Sequence, residues 1–321
     1  MEVTLLTPLG ALVALGVALP LLAFWLLQRR GRSVRQAIAL PPPRPSLLWL
    51  AVGSILLAGV LVGLAAAQPR LEWTSDQRVR QDAEAIIVID TSRSMLARTS
   101  SRAQTRYDRA VAAALRLRAA FPEVPVGIAS LTDRVLPHLF PSADGDVFAA
   151  TLARSLGIDR PPPRGSFSST ATRLESLEAI VTRRFFSQTA RERVIVVLTD
   201  GESVPASGAR FAAAFRRPPG VDGIFLHVWG SDERVFNGGQ PEPQYSPDPR
   251  AREILDGAAE TIGGRVFDEG EIDGAIAAAR RALGDGTTVV QGEKRNRLAL
   301  APYLAAAAFL PLGLLLWRRD R

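Results

Sequence analysis

Three long apolar runs bracket a middle region of mixed composition. Leu5–Leu27, Ser46–Ala67 and Leu298–Trp317 carry no charged residue, and each reaches the about 20 residues a helix needs to cross a bilayer core. Trp25, Trp49 and Trp317 fall near run ends, where amphipathic rings favour the membrane interface. Helices of a soluble core are usually shorter and carry a polar face, so the runs predict three transmembrane helices. The first has Glu2 ahead of it and its arginines behind, unlike a signal peptide. The second follows arginines and ends in Ala65-Ala66-Ala67, but it is too long for a signal core and reads as an uncleaved anchor.

Between the runs, about Gln81 to Gly286, strand-like and helix-like patterns alternate. Ala85–Ile89 and Val194–Leu198 are unbroken apolar, β-branched runs, as in strands buried on both faces. Ile224–Trp229 resembles them, and Val126–Leu131 with Val135–Phe140 reads as a hairpin or neighbouring strands. Helical patterns cover Arg106–Phe121, Val147–Leu156, Arg173–Phe186, Ala251–Ile262 and Ile272–Leu283, with a short strand at Arg265–Phe267. The alternation predicts an α/β domain, a doubly wound and mostly parallel sheet with helices on both faces. The domains are therefore 1–80, two spans and a basic loop; 81–286, the α/β domain; and 287–321, the last span and a basic tail.

Charge refines this picture. The net charge is +7, but it is localised. Arg29, Arg30, Arg32, Arg35 and Arg44 give the loop between the first two runs +5, and Arg318, Arg319 and Arg321 against Asp320 give the tail +2. A nearly neutral remainder argues against nucleic-acid binding. Short arginine-rich segments stay cytoplasmic, so loop and tail both lie inside, while the N-terminus and the α/β domain lie outside a multi-pass cell membrane. There is no cysteine and only two histidines, His138 and His227. Disulfides, thiolate zinc sites and a His-rich metalloenzyme are excluded; His227, in a strand-like run, reads as a packed residue.

Candidate chemistry sits where two strands end. Ala85–Ile89 runs into Asp90-Thr91-Ser92-Arg93-Ser94, and Val194–Leu198 into Thr199-Asp200-Gly201. Ligands of open α/β sheets collect at such carboxyl ends. Carboxylate and hydroxyl oxygens are hard donors, suited to Mg²⁺, Mn²⁺ or Ca²⁺. Asp and Ser are also ordinary turn residues; the pairing with a second strand ending in Thr-Asp-Gly makes the pattern specific.

Asp-x-Ser-x-Ser after one strand and Thr-Asp-Gly after a later one resemble the metal-ion-dependent adhesion site of von Willebrand factor type A (VWA) domains. The resemblance covers the middle region and implies a metal held by Asp90, Ser92, Ser94, a distant threonine and Asp200. That threonine opens a helix in the family. Thr172, followed by Leu174 and Leu177, fits better than Thr170, although Thr172 and Glu175 also read as a helix-capping box. Haloacid dehalogenase-type enzymes carry Asp-x-Asp instead, and position 92 is serine. The layout of spans and domain resembles the bacterial Bat aerotolerance proteins, which implies association with MoxR-type AAA+ ATPases and with other VWA membrane proteins.

The resemblance implies a non-enzymatic binding module whose metal takes an Asp or Glu from a protein partner. A hydrolase would need a base near the ion; Glu202 and Glu84 are close in sequence, but Glu202 reads as a solvated loop residue. An ATPase-linked subunit, chelatase-like or MoxR-coupled, is the other alternative; without GxxxxGK[ST] the ATPase must be another chain. The long Gly230–Pro249 loop follows a strand and is rich in charge, aromatics and proline. Together with Arg164–Thr170 it is expected to form the partner-binding rim, with Arg93, Glu202, Asp232, Phe236 and Tyr245 as its contacts.

Overall fold

The computed structural model describes residues 2–37, 45–160, 162, 172–206 and 208–319. The chain divides into two compact units, Met1–Asp76 with Gly292–Arg321, and Gln77–Gln291.

In the second unit six strands form one sheet: Ala83–Asp90 (β1), Val126–Leu131 (β2), Val135–Ser142 (β3), Glu192–Thr199 (β4), Asp222–His227 (β5) and Arg265–Asp268 (β6). Their order is β6-β5-β4-β1-β2-β3. Every pairing is parallel except β2–β3, the expected hairpin. Pro137 and Pro141 lie in β3, at the edge where proline is tolerated. From β1 the chain steps to β2 on one side, and later from β4 to β5 on the other. The order therefore reverses between β1 and β4, which is where a doubly wound sheet opens a crevice.

Side chains alternate across the sheet, and two cores result. Ala85, Ile87 and Ile89 pack with residues of helices Arg106–Ala120 (α1), Gly145–Ser155 (α2) and Ile272–Leu283 (α6). Ile86 and Val88 pack with residues of Glu178–Thr182 (α3), Ala209–Arg216 (α4) and Ala251–Ile262 (α5). Burying such side chains contributes about 1.5–3 kcal/mol each, so a strand apolar on both faces must be covered on both.

Three elements depart from expectation. The helix expected over Arg173–Phe186 is instead a strand pair, Thr172–Arg173, a 3-10 turn, Leu174–Leu177, and the five-residue α3. Thr172 pairs with Ser203 in a parallel bridge, which holds it out of a helix. A 3-10 turn aligns positions i and i+3, so Leu174 and Leu177 are both fully buried. Second, α4 is eight residues long, too short to show a clear period. Third, the Gly230–Pro249 loop holds its own hairpin, Phe236–Asn237 with Gln240–Pro241. It turns at Gly238 and Gly239, both at positive φ, where glycine is favoured.

The first unit contains a strand, Glu2–Leu5, antiparallel to the start of Pro69–Arg80. Pro8–Val17 is a 3-10 helix that continues as an α-helix, Ala18–Ala37. Pro20 falls just past the change from 3-10 to α-helix. Helices Pro45–Ala66 and Ala301–Arg319 cover the other apolar runs. Among the described residues one stretch, Pro8–Gly31, with mean hydropathy 2.3, is long and apolar enough to cross a membrane. The other two helices are apolar over Val52–Ala66 and Ala301–Leu314, shorter than the expected spans.

Span boundaries shift too. Leu5 belongs to a strand, and Leu298–Ala299 end the strand Thr288–Ala299, so the last helix begins at Ala301. The loop expected from Gln28 to Pro45 is helical to Ala37; Arg44, Asp320 and Arg321 lie outside the described residues.

Candidate metal centre

Asp90 closes β1 and is fully buried. In-register pairing of Ile89 with Leu198 sets the end of β1 beside that of β4. The Thr199 hydroxyl therefore donates to Asp90 Oδ2 at 2.6 Å. The Ser92 N–H donates to Asp90 Oδ1 at 2.9 Å, and the Ser92 and Ser94 hydroxyls lie 3.0 Å apart. Thr172 Oγ1 lies 3.3 Å from both Asp90 oxygens. Its hydroxyl faces Asp90 rather than capping a helix, so the expected capping box with Glu175 does not form. Thr170 lies outside the described residues.

Asp200, also fully buried, follows β4. Gly201 has φ +76, and a Cβ there would sit 2.6 Å from the Ala251 carbonyl oxygen. Only glycine fits that turn, which aims the Glu202 N–H at Asp200 Oδ1, 3.0 Å away. Burial and the neighbouring Asp200 carboxylate push Asp90 up to about 7. Asp90, Ser92, Ser94, Thr172 and Asp200 thus gather at the reversal of the sheet, as two carboxylates and three hydroxyls. Among the described residues no cluster of three or more His, Cys, Asp or Glu forms a metal site. The donors present are all oxygen, and two buried like charges need a counter-ion. This set fits a hard divalent cation.

Arg106 is the residue that sequence reasoning missed. It opens α1 behind an N-cap at Thr105, whose capping box with Asp108 is legible as Thr-x-x-Asp. Nothing local reveals its destination, which is full burial against Asp200 (2.9 Å), Glu202 (2.7 Å) and Glu233 (2.6 Å). Burial opposes its charge, but Asp200, Glu233 and Glu202 outweigh burial and raise its pKa. Asp200 is therefore already partly neutralised from within the protein.

Glu202 is not a solvated loop residue. Its carboxylate accepts from Arg106, from Tyr245 OH at 2.9 Å and from Trp229 Nε1 at 3.1 Å. Burial and Asp200 raise its pKa. The reason is distance in sequence: its partners lie on α1, just past β5 and in the Gly230–Pro249 loop. Tyr245 is half-buried on Glu202 and Arg106, and Phe236 packs 5.5 Å below the Arg98 guanidinium. Arg93 is exposed and ion-paired with Glu242. Asp232 is exposed, accepting from the Ser231 hydroxyl. The rim residues thus divide, with Glu202 and Tyr245 facing inward and Arg93 and Asp232 facing solvent; Arg164–Thr170 lies outside the described residues. His227 is packed as expected, buried, stacked on Trp229 and bonded to the Asp200 carbonyl oxygen.

An open, doubly wound α/β domain with oxygen donors at its strand reversal defines a class of fold and site. Residues 85–202 match the family model of the von Willebrand factor type A domain. No curated protein matches the chain. Among solved structures it is similar to BatB from Bacteroides thetaiotaomicron, described as a conserved hypothetical protein. Identity is 20% and TM-score 0.49, over 61% of this chain and 98% of that one. It is also similar to an aerotolerance-related membrane protein from Bacteroides fragilis, 20% identical with TM-score 0.46, over 63% and 98%. A mussel byssus matrix protein, solved with a zinc-occupied MIDAS motif, is 13% identical with TM-score 0.40, over 64% and 48%.

Proposed function

We propose that this chain is a membrane-anchored binding module that captures a protein partner through a divalent cation at the carboxyl edge of its VWA domain. The observation that carries this reading is the convergence of Asp90, Ser92, Ser94, Thr172 and Asp200 from three separate segments. Asp90, the serines and Thr172 would hold the ion, with Asp200 close by. Mg²⁺ is the first candidate, with Mn²⁺ and Ca²⁺ as alternatives. The bound ion would supply an electrophilic position for an Asp or Glu of the partner. No bond need be broken: Glu202 is engaged by Arg106, Tyr245 and Trp229 and is not poised as a base toward water.

Anchoring draws support from the first unit. A Cβ on Gly59 would fall 2.7 Å from Val17, and one on Gly63 2.6 Å from the Ala14 side chain. These small residues let the apolar segments approach closely. Leu9, Trp49, Phe309 and Leu310 are each more than 70% exposed, a surface suited to lipid rather than water. We read all three apolar runs as spans of a cell membrane, with the VWA domain outside.

Capture from a membrane extract by the full chain is expected with Mg²⁺ and to be lost in EDTA. Equal capture in both would remove the ion from the mechanism. For topology, a reporter active only outside the cytoplasm is expected to work when fused at Gly286 and to be silent at Arg35. The reverse pattern would place the VWA domain inside and favour a cytoplasmic AAA+ ATPase, of the MoxR kind, as partner.

A further inference from the structure

The Gly230–Pro249 loop is long, yet it is fastened at several points, and these converge on the metal edge. Glu233 is buried and accepts from Arg106 Nε at 2.6 Å and from Arg109 at 2.7 Å. Tyr245 OH lies 3.0 Å from Arg106 Nη1 and 2.9 Å from Glu202 Oε1. Arg106 Nη2 reaches the Gly230 carbonyl oxygen at 3.4 Å. Arg98 and Arg234 exchange backbone hydrogen bonds of 3.0 and 2.9 Å, and Arg93 pairs with Glu242. The Arg106 Nη1 that holds Tyr245 also donates to Asp200 Oδ2 at 2.9 Å. One buried guanidinium therefore bonds a candidate metal ligand and both ends of the loop.

We infer that Arg106 is a positioning residue that clamps the Gly230–Pro249 loop to Asp200, so that the order of the loop and the state of the metal edge are coupled. The coupling rests on the metal-dependent reading above; the clamp does not. Its sign follows from charge. Asp200, Glu202 and Glu233 are three buried or nearly buried carboxylates on Arg106, the buried Asp90 lies beside Asp200, and Arg109 is the second cation at Glu233. The cluster has an excess of negative charge at close range, where low effective dielectric strengthens repulsion. A divalent cation at Asp90 reduces that excess and tightens Glu202 and Glu233 on Arg106. The loop then becomes more ordered when the ion is bound, and by linkage an ordered loop favours the ion. A partner that seats on the loop would in this way also retain the metal.

The test is hydrogen exchange of the full chain in detergent micelles, in EDTA and in saturating Mg²⁺, with occupancy checked by calorimetry. Tyr245→Phe keeps the ring and removes one tie; Glu233→Gln weakens another. In EDTA each is expected to speed exchange of amides 231–245 about tenfold, leaving Val194–Leu198 unchanged. In the parent, Mg²⁺ is expected to slow the same amides at least threefold, and in Tyr245→Phe most of that slowing is lost. A purely structural tie would not produce the second effect. Unchanged loop exchange in Tyr245→Phe overturns the clamp, whether or not Glu233→Gln folds. Mg²⁺ that binds the parent without altering the loop overturns the coupling. If Mg²⁺ does not bind the parent, the metal reading fails and with it the coupling, while the EDTA comparison still decides the clamp.

Discussion

Replacing Asp90 by asparagine is expected to weaken Mg²⁺ or Mn²⁺ binding by at least about a hundredfold, or ~3 kcal/mol, while leaving the metal-free domain intact. Asparagine keeps an oxygen to accept from the Ser92 N–H, 2.9 Å from Oδ1, and sets its NH2 where Oδ2 accepts from the Thr199 hydroxyl at 2.6 Å, so that this hydroxyl accepts instead, but it removes the charge that a hard cation needs. Without metal that charge is a burden. Its carboxyl is pushed from 3.8 up to about 7 by burial and by Asp200, so the folded state binds this proton more tightly than the unfolded one. Stability from this group is thus present below about pH 4 and is lost as the pH rises through about 7. In EDTA, Asp90→Asn is therefore expected to match the parent near pH 4 and to exceed it in melting temperature at pH 8. Calorimetry and thermal unfolding of the full chain in detergent check both statements. Undiminished affinity in the variant would remove Asp90 from the site.

Arg106→Met is expected to destabilise the α/β domain by about 3–5 kcal/mol, because removing one partner leaves buried charge uncompensated. The side chain is wholly inaccessible, and Asp200 and Glu233, its partners at 2.9 and 2.6 Å, are themselves almost fully buried. Methionine replaces the aliphatic stem but neither the charge nor the donors to Glu202, Tyr245 and the Gly230 carbonyl. The contrasting variant is Arg93→Met. Arg93 also forms an ion pair, with Glu242, but half of its side chain is exposed. Solvent-screened pairs of that kind are worth less than about 1 kcal/mol. Urea midpoints read from the exchange of sheet amides separate the two. Equal midpoints for both variants would mean that the Arg106 cluster contributes little to the fold.

The consequences of these two substitutions differ because the residues became visible at different levels. Asp90 and Asp200 could be found from sequence because each ends a strand apolar on both faces, and that pattern is local. Burial on both sides requires unbroken β-branched runs, and the first polar residue after such a run lies at the carboxyl edge of the sheet. Helices α5 and α6 were legible at their observed limits, Ala251–Ile262 and Ile272–Leu283, because their apolar residues repeat at helical spacing. The strand Pro69–Arg80 also carries a legible signal, with Leu71, Trp73 and Val79 on one parity and Arg70, Glu72, Asp76 and Arg78 on the other. That alternation lies beside an apolar run, inside the segment 1–80 expected to hold two spans and a basic loop.

Strand composition, the sheet class, the site motif and the apolar runs were thus determined by sequence alone, since each depends on residues a few positions apart. Tertiary structure decided the rest. Thr172 faces Asp90 rather than capping a helix because its backbone pairs with Ser203. Glu202 is held inward rather than solvated because Arg106 and Tyr245, 96 and 43 residues away, converge on it. The Gly230–Pro249 loop is tied down rather than free for the same reason. No local pattern marks an arginine for burial: the desolvation it must overcome is offset only by carboxylates that other segments deliver once the sheet has formed.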